Sequence, residues 1–144
     1  VHAGVWRDFR TLDPKNLIAL AERFPDVHFD LFHLGMPMVR DAVMIAKSYP
    51  NVSLNLCWSP VVSEHMTAQT LNEIIDQVPM NKIIAFGGDY RCVVQKVWGH
   101  LVMAREIVAS VLAGRVEAGE MTETRAVDIA KMWFHDNPSE IYRV

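Results

Sequence analysis

The apolar positions of this chain change period several times, and each change marks an element. Residues 1–4, "VHAG", and 27–35, "VHFDLFHLG", are short and rich in β-branched and aromatic residues, so both predict strands. Between them, "DPKNLIALAERF" at 13–24 predicts a helix. Asp13 is placed to cap it, Pro14 suits its first turn, and Leu17, Ile18, Leu20 and Ala21 make one apolar face. "PMVRDAVMIAKSY" at 37–49 repeats the device with Val39, Ala42, Val43 and Ala46 inward and Pro50 as the stop. "NVSLNLCW" at 51–58 alternates as a third strand, with Val52, Leu54 and Leu56 on one side and Ser53, Asn55 and Cys57 on the other. A loop at 59–66, "SPVVSEHM", is long enough to be functional, and a third helix follows at 67–78. "KIIAF" at 82–86 is apolar nearly throughout, as expected of a parallel strand covered on both faces. Beyond Asp89 the period is helical: one long helix over 94–114 ending at Gly114, another starting at Thr122 as cap, and a last turn in "NPSEIY".

Four strand and helix units in succession predict an α/β fold on a parallel sheet, in a single domain over 1–144 with a C-terminal helical tail from about residue 96. Such a chain is either a small open sheet or half of an eight-stranded barrel, because a complete barrel usually needs about 250 residues. "KIIAF" makes a poor edge, since its unpaired backbone invites other strands, so cover is expected from another copy or from a missing N-terminal half. "VHAG" opens without Met or a polar lead-in, and Val1 already reads as strand. The chain is therefore expected to be a piece of something longer or trimmed at its start, a removed Met or an expression scar being the alternative.

Composition narrows the function classes. Of 144 residues, 51% are hydrophobic and 22% charged, enough for one core of ordinary size. The formal charge of −3, with neither Lys nor Arg massed on any segment, gives no reason to expect nucleic acid or an anionic membrane as partner. Cys57 and Cys92 stand in unlike contexts, so neither a disulfide framework nor a Cys-rich zinc site follows, and a cytoplasmic location is the expectation. No apolar run is read as approaching the roughly 20 residues of a membrane span.

In folds of this kind ligands gather where strands end. The first predicted strand delivers His2 ahead of Gly4, the second His33 ahead of Gly35, the third Asn55, Cys57 and Trp58, and the fourth Gly87, Gly88 and Asp89. Two imidazoles and a carboxylate from separate strands suit zinc or a similar divalent ion, with Asp89 placed to take a proton from water. The glycines let the backbone turn sharply enough to aim the three side chains at one mouth. Against this stands the plainer reading of hydrogen-bonded histidines and an Asp that merely caps a turn. His28 and Asp30 alternate with Phe29 and Leu31 and read as outward-facing. His65, His100 and His135 read as surface or capping residues, and Met36, Met38, Met44 and Met80 as core filling.

The stretches "VHAG", "RFPDVHFDLFHLGMP", "YPNVSLNL", "KIIAFGGDYR" and "NPSEIYRV" together resemble the C-terminal half of the amidohydrolase-related metal-dependent hydrolases, end to end. The resemblance rests on "H-x-G" at 2–4 and 33–35, on Pro-Asp and Pro-Asn before strands at 25 and 50, on "FGGDYR" at 86–91 and on the closing motif at 137–142. It implies strands five to eight of a (β/α)8 barrel, with His2, His33 and Asp89 as metal ligands and Asp89 as the catalytic proton carrier. The family's first-strand "H-x-H" pair is absent from these residues. Arg91 stands where the family usually has Pro. With Trp98 and "GHLVMARE", it resembles the uronate isomerase branch, which implies a carboxylate-bearing substrate held by Arg91, beside Trp58.

The leading expectation is the C-terminal part of a metal-dependent hydrolase. It would act on a small carboxylated or cyclic substrate by hydrolysis, decarboxylation or isomerisation, holding its ion weakly until another chain completes the barrel. The rivals are an inactive half barrel, stable as a homodimer and possessing no metal, and an open flavodoxin-like sheet. No Gly-rich phosphate loop supports the latter.

Overall fold

In the computed structural model, which describes residues 1–2, 8, 10–90 and 94–144, three parallel strands carry the core. They are β1 (Phe29–Leu31), β2 (Val52–Asn55) and β3 (Ile83–Ile84), in that order. Leu31 pairs with Leu54, and Leu54 with Ile83, so three side chains with no solvent exposure lie in a row across the sheet. Burying each contributes roughly 1.5–3 kcal/mol. His2 extends the sheet by one parallel bridge to Phe32. The α/β class and the parallel order are as expected; of the predicted first strand, His2 makes that bridge, and Ala3 and Gly4 lie outside the described residues.

Every strand is shorter than its apolar run, for local reasons. The chain leaves β1 because His33–Gly35 forms a tight turn with positive φ throughout. It leaves β2 because the Cys57 N–H donates to the Asn55 side-chain oxygen at 2.9 Å instead of to a neighbouring strand. It enters β3 late because Met80–Lys82 makes a 3-10 turn, in which the Lys82 N–H donates to the Pro79 carbonyl. Both faces of β2 are buried. The outward placement of Asp30 is therefore corrected: it is half-buried and accepts from Asn55 Nδ2 at 2.9 Å, Ser53 Oγ at 3.3 Å and the Tyr142 hydroxyl. His28 is exposed, as expected.

The helices are α1 (Ile18–Arg23), α2 (Val39–Ser48), α3 (Ser59–Val62), α4 (Glu64–Ile75), α5 (Val94–Glu117), α6 (Glu123–Lys131) and α7 (Asn137–Tyr142). The Asp13 carboxylate accepts from the Lys15 N–H and the Thr122 hydroxyl from the Arg125 N–H, which are the two caps expected. The predicted loop at 59–66 is instead helical: Pro60 fits the first turn of α3, and Ser63 caps α4 by accepting from Met66 N–H. Gly114 is no cap, because α5 runs past it; the left-handed residue that follows is Gly119, at φ +73°. Met44 is 48% exposed, so it does not fill the core as Met36 does.

The β3 edge is closed by the chain's own C-terminal segment. A π-helical turn at Met132–Asp136 brings the Trp133 carbonyl to the Ala85 N–H at 3.0 Å, and Asn137 Nδ2 donates to the carbonyls of Ile83 and Met80, each at 2.7 Å. At the apolar edge expected to need cover from another chain, the Ala85 N–H and the Ile83 carbonyl thus find partners within this chain. Against expectation, α5 is long and apolar enough, by length and composition, to cross a bilayer. Arg105 and Glu106 lie near its middle, a placement that hydrocarbon disfavours, and it packs on α3, α4 and α6.

Candidate functional site

Each of the three strands is followed by a corner in which a residue other than glycine takes a left-handed conformation: His33 (φ +63°) and Leu34 (+51°) after β1, Cys57 (+38°) after β2, and Asp89 (+43°) after β3. Such a conformation costs an L-residue roughly 1–2 kcal/mol, and it persists where surrounding contacts impose it. Two glycines show how tight those contacts are. A Cβ on Gly35 would lie 2.5 Å from the Ala42 Cβ, and one on Gly87 would lie 2.6 Å from the Asn55 side-chain oxygen. The β3 corner is therefore pressed onto the end of β2.

The corners bring together His2, His33 and Asp89, with one donor atom from each inside a 4.8 Å span. His2 Nδ1 and His33 Nε2 are 3.0 Å apart and share one proton position. His33 is 1% exposed, whereas His2 and Asp89 face solvent. Burial, then the neighbouring His2, pushes the His33 pKa down to about 4, against a smaller opposing pull from Asp89. Its ring is neutral at neutral pH, and its Nδ1 is buried without a hydrogen-bond partner. A neutral imidazole nitrogen, Nε2, facing a second imidazole and an adjacent carboxylate is a donor set a divalent ion can use, while the unmet Nδ1 lies on the other edge of the His33 ring. A tetrahedral ion at about 2.0–2.1 Å from its ligands sets donors roughly 3.4 Å apart, so binding one would spread the 3.0 Å imidazole pair slightly and draw the widest pair, up to 4.8 Å, closer.

Trp58 lies against the Asp89 corner: its Nε1 donates to the Gly88 carbonyl at 2.8 Å, and its ring is 5.5 Å from that of Tyr90. Arg91 lies outside the described residues. Cys57 is buried, and burial pushes its thiol up to about 12, so it is no nucleophile at neutral pH.

The expectation for His100 is corrected. It is 3% exposed, and its Nδ1 is 2.6 Å from the Tyr90 hydroxyl. Its burial was readable, since 100, 104, 107 and 108 recur on one helical face of α5. His65 and His135 are exposed, as expected. The group formed by Asp30, Asn55 and Tyr142 had no signal in strand alternation. There the Tyr142 hydroxyl is held protonated well above its usual range, by burial first and then by Asp30.

The model of the family described as amidohydrolase matches residues 1–144. The protein FluG of Emericella nidulans is 27% identical over 133 residues, covering 92% of this chain and 15% of FluG. A Lactobacillus casei crystal structure, described as that of a metal-dependent hydrolase, superposes with a TM-score of 0.80 at 16% identity. That match covers 99% of this chain and 38% of the other, and at that identity it speaks for the fold. This chain thus spans well under half the length of each. With strand order, corner geometry and the full-length family match in agreement, the chain belongs to the amidohydrolase family.

Proposed function

We propose that this chain contributes the C-terminal ligands of a metal-dependent hydrolase active site. The observation that carries the reading is the convergence of His2, His33 and Asp89, from three separate strand ends, on one 4.8 Å span. His33 and His2 would hold the ion from one side, His33 kept neutral by burial, and Asp89 from the other. The chemistry such an ion supplies when bound is Lewis-acid activation of water or of a substrate carbonyl. Asp89, exposed and without a hydrogen bond among the described residues, is then the group to accept the proton lost by the attacking water and return it to the leaving group. Trp58 offers an aromatic wall to a cyclic substrate, and Arg91 a cation to a carboxylated one. Zinc is the ion this donor set suits best.

Three ligands make a weak site, so we further propose that ligands from another chain, or from an N-terminal half, complete it. Elemental analysis per chain, on material whose mass is fixed by light scattering, tests the reading. About one equivalent of divalent metal, lost in Asp89→Asn, is the expected result after loading. No retained metal in either form would overturn it.

A further inference from the structure

The left-handed turn at Asp89 needs an external hold, because it follows two glycines that give the corner no stiffness of their own. Gly87 is pressed on Asn55, and Gly88 is tied through its carbonyl to Trp58. The third hold comes from outside the strand ends. His100, buried in α5, has the Phe86 ring at 5.0 Å and the Tyr90 ring edge-on at 5.8 Å, and its Nδ1 meets the Tyr90 hydroxyl at 2.6 Å. Burial pushes its pKa down, so the ring is neutral and Nδ1 can accept the Tyr90 O–H. The proton then sits on Nε2, on the side of the Cys57 backbone carbonyl. That carbonyl favours the protonated ring, although Nε2 makes no hydrogen bond of normal geometry. His100 thus touches the corners that follow both β2 and β3.

We propose that His100 is a positioning residue: wedged in α5 between the Cys57 and Tyr90 corners, it holds Asp89 in its left-handed conformation and aims the carboxylate at His2 and His33. It touches neither ion nor substrate. The proposal rests on the reading of Asp89 as the working carboxylate.

The test uses the whole chain in four variants. Tyr90→Phe and His100→Phe each remove the hydrogen bond while keeping a ring, the double variant removes both ends, and His100→Asn keeps an acceptor near the Nδ1 position. Deuterium exchange of the 87–90 amides is read on metal-free protein, and Co²⁺ affinity by titration. Both Phe variants are expected to exchange about 10-fold faster in this segment and to bind Co²⁺ about 10-fold more weakly, as loss of a partner behind a metal ligand usually does. The double variant should be no worse than either single one, and His100→Asn should recover most of the loss. A merely structural His100 would lower the unfolding temperature without moving Co²⁺ affinity or this segment's exchange, and that result overturns the proposal. So do losses in the double variant that multiply. If His100→Phe does not fold, Tyr90→Phe, which removes a single hydroxyl, decides the matter. Failure of the parent chain to bind Co²⁺, alongside an equally inert Asp89→Asn, would sink the metal reading instead, and exchange alone would then judge the hold on Asp89.

Discussion

Two polar clusters sit on the same three strands and follow opposite rules. In the first, Asp30 accepts from Ser53, Asn55 and Tyr142, and Asn137 spends its amide on two backbone carbonyls. In the second, His2, His33 and Asp89 bring their donor atoms within 4.8 Å of one another, and the backbone is left-handed at His33, Cys57 and Asp89. A satisfied network fixes a fold, whereas strain held in place at successive strand ends is the mark of a candidate site.

The contrast can be broken at its strongest point first. Asn137→Ala strands the Met80 and Ile83 carbonyls, each costing about 1–3 kcal/mol, so urea unfolding should show a loss of about 2–6 kcal/mol. A loss below about 1 kcal/mol would mean that this cluster is not scaffold. Next comes acid. The native His33 pKa of about 4 lies below its ordinary 6.5. Above pH 6.5 both folded and unfolded chains are neutral there. Between 6.5 and 4 the unfolded chain takes a proton that the native one refuses, so stability falls by about 1.4 kcal/mol per pH unit, to about 3 kcal/mol in all. His100, also pushed down by burial, acts in the same direction. Comparing the metal-free chain with His33→Gln across this window isolates the His33 share, and equal slopes would refute it.

Tyr142→Phe leaves the Asp30 carboxylate short of one donor and should cost about 1–2 kcal/mol in the same assay. The smallest effect has the opposite sign. Asp89→Gly relieves a left-handed residue and should leave stability unchanged or raise it by up to about 1 kcal/mol, while metal binding disappears. A loss of 2 kcal/mol there would move Asp89 into the scaffold.

The residues legible beforehand were those whose role is local or periodic. Asp13 and Thr122 cap because of what immediately follows them, and His2, His33 and Asp89 could be grouped because strand ends in parallel folds share one side. What escaped depends on distant partners. Ser63 competes as a cap against a stretch that reads as loop, Asp30 accepts a hydrogen bond from Tyr142, far along the chain, and His100 is buried by corners formed elsewhere. Apolar runs also overstate strand length, because side-chain pattern does not register where a backbone turns left-handed, as at His33 and Cys57.

The closure of the β3 edge by Trp133 and Asn137 also sets an order of events during synthesis. Asn137 reaches back 57 residues to Met80 and 54 to Ile83, so β3 has no outer partner while α5 and α6 are being made. Throughout that interval the nascent chain carries an open, apolar strand edge able to pair with its neighbours. That edge is covered only once the segment from Trp133 to Asn137 has been made and folded back onto it.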